Sequence, residues 1–151
     1  MCTLARKMGV RSLVVEDAGD RPEIVQEITH LAEFTGAEDG EWQASSVTFL
    51  RSEAPAYGEG GVPDAADVIG QVVIVSFPNG EGERSYVFEA VMRLCATRDG
   101  TLLLNNHVHL DRRQSIEVAG GRIDVAGSYF CQQNGVTSLC GHTAVRTLIA
   151  N

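Results

Sequence analysis

No apolar run in the 151-residue chain approaches the ~20 residues that a membrane span requires. No signal peptide opens it either: Met1-Cys2-Thr3-Leu4-Ala5-Arg6-Lys7 is too short and too polar to direct export. These absences imply a cytoplasmic address and no membrane partner. Positive charge is scarce, with 12 Lys and Arg against 20 Asp and Glu and a formal net charge of −8. Nucleic-acid binding rests on basic contacts to phosphate, so that class of partner is excluded. The four cysteines, Cys2, Cys95, Cys131 and Cys140, form no Cys-x-x-Cys pair, which removes zinc knuckles and thioredoxin-type sites and leaves reduced thiols. Neither G-x-G-x-x-G nor G-x-x-x-x-G-K-[ST] occurs, so no phosphate loop is present and no cofactor is implied. There are no internal repeats and no low-complexity tract.

What is present fits one domain with a full core. Charge is unevenly spread: residues 1–89 carry 16 acids against 6 bases, and residues 90–151 carry 4 acids against 6 bases. The acidic half reads as a solvated surface, or as one able to take a protein partner. Composition divides the chain into an acidic α/β region at 1–66 and a strand-rich region at 67–151. The two join within one structural domain through a Gly-, Pro- and Glu-rich loop at 52–66.

Ser12–Asp17 reads as a short strand. Asp20-Arg21-Pro22-Glu23 then predicts a helix start, with Asp20 as N-cap and Glu23 completing a capping box. Ile24, Val25, Ile28, Leu31 and Ala32 form its apolar stripe, Gly36 ends it, and His30 falls off the stripe as a surface residue. Val47–Leu50 is a second strand. Val72–Phe77 is continuously apolar, as a strand covered on both faces would be. Tyr86–Leu94 reads as strand from its aromatic and β-branched content, and Leu102–Leu110 continues the sheet. Ile116–Ala119 and Arg122–Val125 flank Gly120-Gly121 as a hairpin turn, which sets Val118 opposite Ile123 and Ile116 opposite Val125. The fold class is α+β: a mostly antiparallel sheet, an N-terminal helix and a C-terminal cysteine-bearing helix.

Chemistry concentrates in Gln132-Gln133-Asn134-Gly135-Val136-Thr137-Ser138-Leu139-Cys140-Gly141-His142-Thr143-Ala144. Glutamines lead a turn, Thr137 and Ser138 are candidate N-caps, and Cys140 opens a helix. From there Ala144, Val145, Leu148 and Ile149 recur on one side, with His142, Thr143, Arg146 and Thr147 on the other. A cysteine among the unpaired amides of a first turn, at the positive end of the helix dipole, is biased toward thiolate, the nucleophilic form. The plainer alternative is a small buried hydrophobe, the commoner state of a cysteine near an apolar helix face. His142, two positions on, is rotated by about 200° and cannot be the base for Cys140.

This stretch resembles the active-site helix of the papain-like cysteine peptidases, including the bacteriocin-processing and transglutaminase-like members. The resemblance covers about twenty C-terminal residues and implies Cys140 as nucleophile and Gln133, or neighbouring Gln132, as oxyanion donor, acting on a peptide or protein substrate. Gln133 and Cys140 lie seven positions apart, one more than the commonest family spacing, and the Cys-Gly-Ser-Cys-Trp signature is absent. The resemblance also implies an imidazole base. In the common order it follows the cysteine, and only eleven residues remain after Cys140, so the expectation is an incomplete papain-like domain. In a permuted order it comes from His107 or His109 upstream. His107 and His109 would share one face of a strand with Asp111 nearby, a pattern weighed for a metal-dependent hydrolase; two imidazoles on a polar strand face are the preferred reading, with no metal. The alternative from a different class is a non-catalytic partner-binding module of the same fold.

Overall fold

A computed structural model describes residues 2–36, 42–54, 61–79, 82–93, 112–136 and 140–150. The elements run α1 (Cys2–Lys7), β1 (Ser12–Asp17), α2 (Pro22–Thr35), β2 (Gln43–Leu50), β3 (Val68–Asn79), β4 (Gly82–Met92), β5 (Arg113–Val118), β6 (Gly121–Ala126), β7 (Ser128–Phe130) and α3 (Cys140–Ala150). A five-stranded sheet has the order β1-β2-β3-β4-β7, and β5-β6 form a separate hairpin. Every strand pair is antiparallel, and the architecture is α+β as expected. The large sheet takes strands from both sides of residue 66. The expected strand at Leu102–Leu110, with His107, His109 and Asp111, lies outside the described residues, as do residues 55–60 of the long loop.

Alternation along β2 decides which side carries α2 and the hairpin. Ala44, Ser46, Thr48 and Leu50 are buried on one face. On that face α2 packs Ile24, Leu31 and Ala32 against Ala44, Val73, Val75, Phe77, Tyr86 and Phe88. Beside it the β5-β6 hairpin packs Ile116, Val118, Ile123 and Val125 against Leu50, Val68, Val91 and Tyr129. A polar seam separates the two apolar clusters. The Gln71 amide, buried, donates to Thr48 Oγ1 (2.8 Å) and to the Glu117 carbonyl (2.6 Å), which ties hairpin to sheet without leaving its amide orphaned. The opposite face is covered by α1, with Ala5 and Met8 against Phe49, Ile69, Val72 and Met92. Hence β3 is buried on both sides, as its continuous apolar run predicts.

Four local expectations change. The N-cap of α2 is Arg21, not Asp20, and it makes no side-chain cap bond. Proline at the first helical position forces its predecessor into extended backbone (φ −65°, ψ 131°), so the helix cannot begin earlier and Glu23 completes no capping box. The other end is as expected: Gly36 is left-handed (φ 69°) and its N–H reaches the Ala32 carbonyl. Val25, placed on the apolar stripe, is exposed. The hairpin turns at Ala119-Gly120, both at positive φ (51° and 72°), so Ile116 faces Ile123 and Val118 faces Gly121. Both registers leave the same four apolar residues on one face, so alternation alone could not choose between them. Finally, α1 was not anticipated.

Helix α3 runs against the usual amphipathic pattern. Its apolar stripe points outward: Val145, Leu148 and Ile149 are 51%, 78% and 65% exposed. Thr143, Arg146 and Thr147, the polar side, are half-buried against the domain. The end of the helix is fastened to the hairpin, because Gln114 donates to the Ala150 carbonyl (2.7 Å) and Arg112 to the Ile149 carbonyl. Those donors satisfy carbonyls that a helix C-terminus leaves unpaired. Among the described residues no helix is long and apolar enough to cross a membrane.

Candidate active site

A cleft of about 670 Å³ opens between α2 and α3, floored by β4. Glu27, His30, Leu31, Glu33 and Phe34 of α2 form one wall. Cys131, Gln132, Gln133 and Asn134, with Thr143 and Arg146 of α3, form the other, and Tyr86 and Phe88 are the floor. The floor is backed by aromatic packing, since Trp42 stacks on Phe77 (centroids 4.8 Å apart) and Phe77 meets the edge of Tyr86 (6.3 Å).

Glu27 joins three elements. Its Oε1 accepts from the Tyr86 phenol (2.8 Å) and from the Asn134 side-chain amide (3.3 Å). Burial, then the Glu27 carboxylate, push the Tyr86 phenol far above its ordinary 10.0, so it remains a donor. Asn134 in turn accepts from the Val136 N–H (2.9 Å), an Asx turn that Gly135 completes at φ 74°. The expected turn before Cys140 is therefore real, and Glu27 anchors it to α2.

The two glutamines part company. Gln132 extends the β7–β4 pairing: its N–H donates to the Val87 carbonyl (2.8 Å) and its side-chain Oε1 accepts from the Val87 N–H (3.2 Å). Its carboxamide oxygen is thereby engaged at the sheet edge, and the residue also lines the cleft. Gln133 is half-buried and lines the cleft. The described part of helix α3 runs from Cys140 to Ala150. The Cys140 side chain, with Thr137 and Ser138, lies outside the described residues. The backbone position precedes Thr143 by three and Thr147 by seven residues, spacings that share one helix stripe.

Arg146 locks that stripe inward. Its guanidinium lies 4.7 Å from the Phe88 ring centroid and 5.6 Å from that of Tyr129, and pairs with Glu89 at 3.5 Å. Burial raises the Glu89 carboxyl above its ordinary value, against the pull of Arg146. Burial likewise raises the Tyr129 phenol. Cys131, 6% exposed, sits 3.2 Å from Thr147 Oγ1 and 3.5 Å from the Thr143 carbonyl, as a packed thiol between β7 and α3.

Sequence reasoning missed Glu27, His30, Phe34, Tyr86, Asn134 and Arg146. One signal was available on α2, where Glu27, His30, Leu31 and Phe34 recur at helical spacing as a mixed stripe beside the apolar one. Among the described residues no group of three or more His, Cys, Asp or Glu side chains is arranged to hold a metal. Compared with known family models, curated proteins and solved structures, the chain matches none of them.

Proposed function

We propose that the chain is a thiol hydrolase of the papain-like type, acting on peptide or amide bonds through Cys140. The observation that supports this reading is that Gln133 and Thr143, one turn into the helix that Cys140 opens, line the same cleft. A nucleophile at a helix start, a carboxamide donor and an enclosed apolar floor are the parts that acyl transfer needs. The imidazole is assigned to His30, which lines the cleft from α2. His107 and His109 are the permuted alternative.

In this scheme His30 takes the Cys140 thiol proton, and the thiolate adds to the substrate carbonyl carbon. The resulting oxyanion is held by the Gln133 carboxamide and the Cys140 backbone N–H. Collapse breaks the C–N bond, and the leaving amine receives the proton from His30. Water, deprotonated by the same imidazole, then attacks the thioester and releases the acid and the thiolate. Hydrolysis of a fluorogenic peptide library by the 151-residue chain tests the scheme. Cys140→Ser is expected to abolish turnover, and Gln133→Ala to lower it by about a hundredfold to a thousandfold. Undiminished hydrolysis by Cys140→Ser would sink the proposal.

A further inference from the structure

The cleft has a charge and a shape that thiol chemistry does not require. Two carboxylates, Glu27 and Glu33, line it from α2. Arg146, the one guanidinium that lines it among the described residues, is already stacked on Phe88 and paired with Glu89. Glu27 is fixed by two donors that converge on Oε1, the Tyr86 phenol and the Asn134 amide, and among the described residues no cation pairs with it. A carboxylate so oriented, over an aromatic floor and with no cation paired to it among the described residues, is built to receive a positive group. The walls beside it are apolar: Leu31 buried, Phe88 on the floor, and Phe34 at the rim, 66% exposed. A cation on a methylene stem matches that sequence of surfaces.

We propose that the cleft selects a basic side chain, lysine or arginine, of a peptide substrate, with its cation on Glu27 and its methylene stem between Leu31, Phe34 and Phe88. The word substrate rests on the hydrolase reading above; the binding preference does not. The peptide is favoured over a free amine because a cleft of about 670 Å³ holds more than one basic side chain, leaving room for the residues on either side of it.

The test is calorimetric titration of the full chain carrying Cys140→Ala, which binds without turnover. Three ligands are compared: an acetylated and amidated Ala-Ala-Arg-Ala-Ala peptide, the same peptide with norleucine for arginine, and cadaverine. A charge-assisted hydrogen bond on a fixed carboxylate predicts that the arginine peptide binds about tenfold to a hundredfold more tightly than the norleucine peptide. Glu27→Gln is expected to bring the two within about threefold. Because Glu27 also joins α2, β4 and the turn, Phe34→Ser provides a second arm at an exposed position. It is expected to weaken the arginine peptide severalfold with the fold intact by circular dichroism. Equal or tighter binding of norleucine overturns the proposal, as does no binding of the arginine peptide at about millimolar concentration. Cadaverine binding as tightly as the arginine peptide overturns the assignment to a peptide side chain. A protein that prefers arginine yet hydrolyses nothing keeps this inference and loses the hydrolase reading. One that hydrolyses arginine and norleucine peptides equally does the reverse.

Discussion

The Arg146 guanidinium lies 4.7 Å from the centroid of the Phe88 ring and 3.5 Å from the Glu89 carboxylate, one contact to the floor of the cleft and one to its neighbour on β4. This arrangement docks α3 by its polar side. A planar cation stacked on an aromatic face gives up less hydration than an ammonium and satisfies a half-buried acid at the same time. Arg146→Ala is expected to cost about 1–2 kcal/mol, through lost stacking and an unpaired Glu89. Arg146→Lys should recover only part of that, since a lysine has no plane to stack. Urea unfolding midpoints read both, and an unchanged midpoint in Arg146→Ala would remove the guanidinium from the docking of α3.

The outward stripe of the same helix predicts the opposite behaviour. With Leu148 and Ile149 largely exposed, Leu148→Ser and Ile149→Ser are expected to shift stability by no more than about 0.5 kcal/mol. Ile24→Ala, in the buried stripe of α2, should cost about 2–5 kcal/mol. A loss at Leu148 comparable to that at Ile24, measured by thermal melts, would mean that the α3 stripe is covered in the folded protein.

What the sequence made legible follows from the range of the forces involved. Gly36 as a helix stop, the unbroken run of β3 and the strand character of β4 are local matters of backbone preference and side-chain period. The helix at Cys140–Ala150 and the turn at Asn134-Gly135 are local in the same sense. Helix α1 spans only six residues and owes its place to Ala5 and Met8 buried under the sheet, a tertiary fact. Periodicity sorts the two sides of α3 but cannot tell which is docked, and the usual rule that the apolar stripe goes inward fails here. Arg146 reverses that assumption through Glu89, 57 positions away. The cleft is harder still to foresee, since Glu27 meets Tyr86 and Asn134 across 59 and 107 positions.

The Glu89 carboxyl sets a pH dependence with a definite sign. Burial raises it above the ordinary 4.5, with Glu23 adding to the rise while Arg146, Arg21 and the Tyr129 hydroxyl oppose it. A raised acid holds its proton longer in the folded state than in the unfolded one. Stability from this group is therefore full below about 4.5 and declines as pH rises through the raised folded value. The stability of the wild type relative to Glu89→Gln should fall over that window, measured by denaturant titration at several pH values. A difference that grows with pH would make the Arg146 pairing, not burial, the leading cause.

Thiol reactivity separates the two cysteines of the C-terminal region. Cys131 is buried between β7 and α3, with its sulfur 3.2 Å from the Thr147 hydroxyl, so its alkylation waits on local opening. Cys140, at a helix start, is proposed to carry the thiolate. Iodoacetamide at neutral pH, followed by peptide mapping over time, is expected to label Cys140 first among the four thiols. Faster labelling of Cys131 or Cys95 in the folded protein would withdraw the nucleophile assignment.

The source of the imidazole is the last and most divisive expectation. Three histidines of this chain are candidates. His30 lines the cleft with Gln133 and Thr143, whereas His107 and His109 lie upstream of Cys140 in permuted order and outside the described residues. A general base contributes about a hundredfold to ten-thousandfold, and an imidazolium beside a thiol also lowers its pKa, so the true partner moves two readouts at once. His30→Ala is expected to depress kcat/KM by about that factor, to shift its lower pH limb and to slow alkylation of Cys140 at neutral pH. The paired change His107→Ala and His109→Ala should leave all three nearly unaltered. The reverse pattern would transfer the role to the upstream pair and establish the permuted order. Robust Cys140-dependent turnover with all three histidines replaced would show that no imidazole of this set is the base. The thiolate would then owe its reactivity to the helix start alone.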